Sequence, residues 1–82
     1  TFQDTYAWIL YKLQQYDEAL SWIMKAVENG SGESPVVLEH YGDILYRLNR
    51  KNEAFEKWEQ AKAFGEGSGL LEKKIREKKL YE

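Results

Sequence analysis

Residues 6–32, YAWILYKLQQYDEALSWIMKAVENGSG, read against residues 41–67, YGDILYRLNRKNEAFEKWEQAKAFGEG, decide the fold. The overlay pairs Tyr6 with Tyr41, Ile9 with Ile44, Leu10 with Leu45, Tyr11 with Tyr46 and Leu13 with Leu48, each 35 positions apart. It also pairs Glu18 with Glu53, Ala19 with Ala54, Ala26 with Ala61, Gly30 with Gly65 and Gly32 with Gly67. An internal period of about 20 to 50 residues marks stacked supersecondary units, none of which buries its apolar face alone. Such an array is a scaffold for binding, and the period does not name what is bound.

Working outward, Phe2, Tyr6, Ile9, Leu10 and Leu13 follow the i, i+3/i+4, i+7 rule and make one apolar helical face. Gln14-Gln15 is a short break. A second helix starts near Tyr16, with Asp17 and Glu18 in the first turn where carboxylates suit the dipole. Its core candidates are Ala19, Leu20, Ile23, Ala26 and Val27. Asn29-Gly30 predicts a stop, because glycine takes the left-handed conformation without steric cost. Ser34-Pro35 predicts a restart, with serine as the N-cap and proline at the first helical position. A third helix presents Val37, Leu38, Tyr41, Leu45 and Leu48, and Asn49-Arg50 breaks it. A fourth carries Ala54, Phe55, Trp58 and Ala61 and ends at Phe64-Gly65. After the glycine-rich stretch 65–69, a fifth helix begins near Gly69 or Leu70 and turns Leu71 and Ile75 toward the core. Lys78 and Lys79 fall where apolar residues are expected, which predicts a last turn that frays or extends into water. No useful length alternates with period two, so the expectation is five helices and no sheet.

With 82 residues, 43% hydrophobic and 15% aromatic, the chain suits one small domain with a thin stability margin. Three Trp, six Tyr and three Phe carry much of the apolar area. A formal charge of -2 and a pI near 5.5 lack the concentrated basic face that nucleic acid requires. Without cysteine there is no disulfide and no thiolate metal site. No apolar run approaches the ~18 residues of a membrane span, so no membrane insertion is expected. The sequence opens on Thr1, as expected of a piece of a longer protein.

The small residues make the pattern specific. Two antiparallel helices need small side chains where they cross. Ala7 and Ala19 fill those positions in the first unit, Gly42 and Ala54 in the second. Through Tyr6-Ala7-x-x-Leu10 with Ala19-x3-Ile23-x2-Ala26, and Leu38-x2-Tyr41-Gly42-x2-Leu45 with Ala54-x3-Trp58-x2-Ala61, the chain resembles the tetratricopeptide repeat (TPR) family. The resemblance implies an all-α, right-handed superhelix: repeat 1 over 1–33, repeat 2 over 34–68 and a capping helix over 69–82. It departs from the family pattern at Gln3 and Leu38, where Trp often opens the first helix. It departs also at Gln14 and Asn49, where Gly is common within the unit, and in lacking the proline that often ends a repeat. Closely spaced Tyr-Gly-Asp helices resemble those of bacterial arrays, cell-envelope proteins included; compartment stays open between cytoplasm and envelope.

In this family the first helix of each unit lines a groove for an extended peptide or a partner's helix. Carried over, the resemblance places Thr1, Asp4, Trp8, Tyr11 and Lys12 on the groove side of helix one, and Val36, Glu39, Asp43, Tyr46 and Arg47 on that of helix three. Asp4, Glu39 and Asp43 would form an acidic layer, Lys12 and Arg47 a basic one, with Trp8 between them flanked by Tyr11 and Tyr46. Exposed Trp and Tyr among charges is hot-spot composition. Packing of Trp8 on a neighbouring helix is the plainer alternative. Relatives that clamp a terminal carboxylate carry Lys and Asn where this chain has Asp4, Trp8, Glu39 and Asp43. Acids there repel a carboxylate, so the expected partner is a protein or peptide with a basic or neutral-aromatic segment.

No catalytic, cofactor or metal residue is predicted, and no cofactor. Glu39-His40-Asp43 is the sole hint of acid-base or metal chemistry, but one histidine without a second His or Cys makes a poor site. Gly65 to Gly69 follows a helix and lacks the Lys-Ser/Thr of a phosphate loop. The basic residues Lys73, Lys74, Arg76, Lys78 and Lys79 are interspersed with Glu72, Glu77 and Glu82, as in a solvated cap. The expected function is a non-catalytic protein-interaction scaffold. A structural C-terminal segment of a longer repeat protein, or a homo-oligomeric contact through Trp8, Trp22, Leu80 or Tyr81, is the alternative.

Overall fold

The computed structural model describes residues 2–31, 34–65 and 69–80, with side chains for 5–30, 34–65 and 69–80. Gly32, Gly67, Tyr81 and the side chains of Phe2 and Asp4 lie outside the described residues. Among those described, every element is helical and no strand occurs: α1 (Phe2–Lys12), α2 (Tyr16–Ala26), α3 (Pro35–Arg47), α4 (Lys51–Phe64) and α5 (Leu71–Glu77). Beyond α2 a wider turn, Val27–Ser31, bends at Asn29 and at Gly30, whose φ of 106° is open to glycine. Ser34 caps α3, its side chain accepting from the Val37 N–H at 3.4 Å, and Pro35 opens the helix.

The period is geometric as well as sequential. Gln14 (φ 63°) and Asn49 (φ 64°) both take the left-handed conformation. In each turn the following N–H reaches back five residues, Gln15 to the Leu10 carbonyl and Arg50 to the Leu45 carbonyl, both at 2.9 Å. The left-handed residues themselves donate at 3.0 Å to Tyr11 and Tyr46. These are paired Schellman closures, which satisfy the orphan carbonyls of α1 and α3 and fold α2 and α4 back on them. Lys78 (φ 51°) ends α5 in the same way, with the Lys79 N–H on the Lys74 carbonyl at 3.3 Å.

α1 packs on α2 and α3 on α4 as two hairpins; α3 also lies against α2, and α5 against α4. The first core cluster joins Ala7, Leu10 and Tyr11 to Ala19, Ile23 and Ala26 of α2 and to Val37 and Ile44 of α3. The second joins Leu38, Trp58, Ala61 and Leu71, with Tyr46, Phe55, Ile75 and Leu80 packed on it. Leu80 is therefore half-buried against the core rather than a loose tail residue. The apolar face proposed for α1 is a different matter: Leu10 is buried, but Tyr6, Ile9 and Leu13 are 39%, 49% and 61% exposed. The face that α1 turns to α2 is instead Ala7, Leu10 and Tyr11.

Position by position the two units exchange volume. Ala7 and Ile23 of the first become Gly42 and Trp58 of the second. A Cβ built on Gly42 would overlap the Trp58 indole and sit 3.0 Å from the Ala54 carbonyl oxygen, so the missing methyl is where the indole fits. Gly42→Ala should destabilise by about 1–3 kcal/mol through overpacking. Gln14→Gly, which removes the left-handed penalty on a residue with a Cβ, should stabilise by roughly 1 kcal/mol. Asn49→Gly should gain less, since asparagine tolerates this conformation. Thermal unfolding of the three variants beside the parent checks the order.

Candidate functional site

Helical geometry places Glu39 and Asp43 one turn apart on α3, on the side that α5 covers. Both are buried, at 3% and 2% exposure, and so is Lys74 of α5 at 4%. The Lys74 ammonium donates to Glu39 Oε2 at 2.8 Å and to Asp43 Oδ1 and Oδ2 at 2.9 and 3.1 Å. Asp43 Oδ1 also accepts from the Trp58 indole N–H at 3.1 Å. Among the described residues no buried side-chain polar atom lacks a partner. The acidic layer expected to meet a ligand is thus internal in part. Glu39 and Asp43 are matched by a lysine of the same chain, and charge reversal there would disrupt the fold rather than probe binding.

Burial pushes the Asp43 carboxyl up to about 6; Lys74 pulls against that by charge and hydrogen bond, Glu39 adds to the rise, and His40 lowers it. Two carboxylates share one ammonium, so a proton on Asp43 relieves the excess negative charge. Helical spacing carries the missed signal. Leu71, Lys74 and Ile75 form one i, i+3, i+4 stripe, so Lys74 lies on the apolar face of α5 rather than the solvated one.

Of the other predicted residues, Tyr11, Lys12 and Arg47 meet where α1 and α3 end, with Trp8 one turn earlier on α1. Trp8 is half-buried and stacks on Tyr11 (centroids 4.7 Å, 7°) and on His40 of α3 (4.1 Å, 16°). Lys12 Nζ lies 4.9 Å from the Trp8 ring. Tyr11 is buried at 3% exposure, makes an edge contact with Tyr16 at 5.5 Å, and accepts from Arg47 Nε at 3.4 Å. Tyr11, Lys12, Gln14, Tyr16 and Arg47 line a pocket of about 140 Å³. Tyr46 does not flank Trp8: it stacks on Trp58 at 5.7 Å, in the second core cluster, with Lys51 Nζ 5.3 Å from its ring. Val36 is 46% exposed. Thr1 and the Asp4 side chain lie outside the described residues. His40, read from sequence as a partly exposed helix residue, is the ring that ties Trp8 to α3.

Among the described residues no group of three or more His, Cys, Asp or Glu could hold a metal ion. Among the same residues no helix is long and apolar enough to cross a membrane. No family model matches this sequence, and neither a curated protein nor a solved structure matches it. The TPR resemblance therefore rests on the residues quoted from the sequence alone.

Removing one partner of a buried ion pair costs about 3–5 kcal/mol, and a domain of this length has roughly 4–12 kcal/mol in all. Lys74→Met should therefore unfold a large share of the chain at 37 °C, whereas Asp43→Asn, which leaves one lysine facing one glutamate, should fold. The sign of the pH effect follows from the raised Asp43 pKa. Between the ordinary value of 3.8 and about 6 the folded chain binds more protons than the unfolded one, so stability falls as pH rises through that window. From pH 7 to pH 5 the parent should gain about 1 kcal/mol, and Asp43→Asn should lack that gain, as measured by urea unfolding at the two pH values.

Proposed function

We propose that this chain is a non-catalytic protein-interaction module of the TPR type: two helical hairpins stacked in a right-handed superhelix, with α5 closing the far end. Its working surface is the corner where α1 and α3 end. Support comes from the paired turns at Gln14 and Asn49, the small residues at the helix crossings, and the exposure of Lys12 and Arg47 around a pocket walled by Tyr11 and Tyr16.

One observation carries the partner's chemistry: Lys74 already matches Glu39 and Asp43. With those acids internal, the argument for a basic partner loses two of its three residues. The described charges that an incoming chain meets on α1 and α3 at this corner are Lys12 and Arg47. An acidic segment with an apolar or aromatic side chain suits them, its carboxylate beside Lys12 and Arg47 and its apolar group on the edge of the Trp8–His40 stack.

Two twelve-residue peptides, one of Asp, Glu and Phe and one of Lys, Arg and Phe, titrated against tryptophan fluorescence at low salt, test this. The acidic peptide should bind and weaken with added salt. Lys12→Glu, a change at an exposed position, should weaken it by about 3–10-fold or more. Preference for the basic peptide, or indifference to Lys12→Glu, would overturn the reading.

A further inference from the structure

Identical residues occupy equivalent positions of α1 and α3 and meet opposite fates. In α3, Ile44 is fully buried and Tyr41 and Leu48 are half-buried against the cluster that α2 contributes to. Thirty-five positions earlier, Tyr6, Ile9 and Leu13 repeat the same Tyr, Ile, Leu stripe on α1 and stand 39%, 49% and 61% exposed. The local surroundings repeat as well. Tyr6 meets Trp22 edge-on at 4.8 Å, and its counterpart Tyr41 meets Lys57, the counterpart of Trp22, at 4.8 Å. α1 thus presents, uncovered, the surface by which α3 binds α2.

We propose that the Tyr6–Ile9–Leu13 face of α1 is an interface for the second helix of a further hairpin of this pattern. That helix lies across Ile9 as α2 lies across Ile44. The cluster that α2 shares with α1 and α3 defines its chemistry: alanines like Ala19 and Ala26, a branched aliphatic residue like Ile23, and aliphatic shoulders like Leu20 and Val27. A second copy of these 82 residues has no such helix to offer. Its α2 is taken by its own α3, and its α4 by its own α5, which buries Leu71 against Trp58 and Ala61. The two ends of the array differ accordingly, one plugged by an ion-paired helix and the other open and apolar. This inference rests on repeat geometry alone and stands or falls separately from the peptide-binding corner.

The test is a tandem chain in which residues 1–35 are duplicated ahead of Thr1, keeping the period and supplying an α2-type helix for the open face. The tandem chain should unfold in one transition, with Tm raised by at least about 5 °C over the 82-residue chain. Ile9→Lys in the original segment should be near neutral in the 82-residue chain. In the tandem it should lower Tm by about as much as Ile44→Lys does, on the order of 10 °C. Two separate transitions with the original Tm unchanged, or an Ile9→Lys equally neutral in both chains, would overturn the proposal. So would a stable dimer of the 82-residue chain in sedimentation that Ile9→Lys abolishes, because the face would then pair with itself.

Discussion

The ammonium of Lys74 sets the geometry of the second half of the molecule. α5 has seven residues, too few to hold a helix in water unaided. It is held by Leu71, fully buried, and by Lys74 bonded to two carboxylates of α3. Those bonds fix the Asp43 carboxylate, which accepts from the Trp58 indole of α4. The indole in turn fills the space left by the missing Cβ of Gly42. Three helices are joined through one cation, and each contact constrains the next. Without the cation, two acids one turn apart would be left buried and unmatched, a cost that burial of Leu71 alone does not offset.

The two units share a backbone plan and differ in where they place their indole. In the first, Trp8 sits on α1 and stacks on Tyr11 and His40; in the second, the equivalent position is Asp43 and the buried indole is Trp58 on α4. α5 explains the change. Position 43 lies beneath α5, where a half-exposed indole has no place and a carboxylate meeting Lys74 does. Position 8 lies against His40 of α3 and keeps part of its surface in water.

Much of the fold was legible in the sequence because local chemistry dictated it. The period, the stop at Gly30, the Ser34-Pro35 restart and the alanines at the crossings each have a local cause that the structure repeats. Two things were not legible. A helical stripe such as Tyr6, Ile9 and Leu13 shows that one face is apolar, not which neighbour covers it; α2 covers Ala7, Leu10 and Tyr11 instead. A lysine within a run of lysines looks solvated until its spacing from Leu71 and Ile75 is counted. The pairing of Lys74 with Glu39 and Asp43 spans 35 and 31 positions, beyond any local pattern.

That long-range pair also decides how charge at the surface is to be read. A formal count along α1 and α3 gives acids at 4, 39 and 43 against bases at 12 and 47, and hence an acidic face. A partner responds to the field that reaches it, and two of those acids are matched by an ammonium less than 3 Å away. What remains of the internal group is at most one negative charge, and less when Asp43 holds its proton. Lys12 and Arg47 are exposed at the surface, Lys12 over the Trp8 ring and Arg47 bonded to the Tyr11 hydroxyl. The charge that α1 and α3 turn outward thus depends on which acids the fold has already paired, and a single lysine from a neighbouring helix matches two of them.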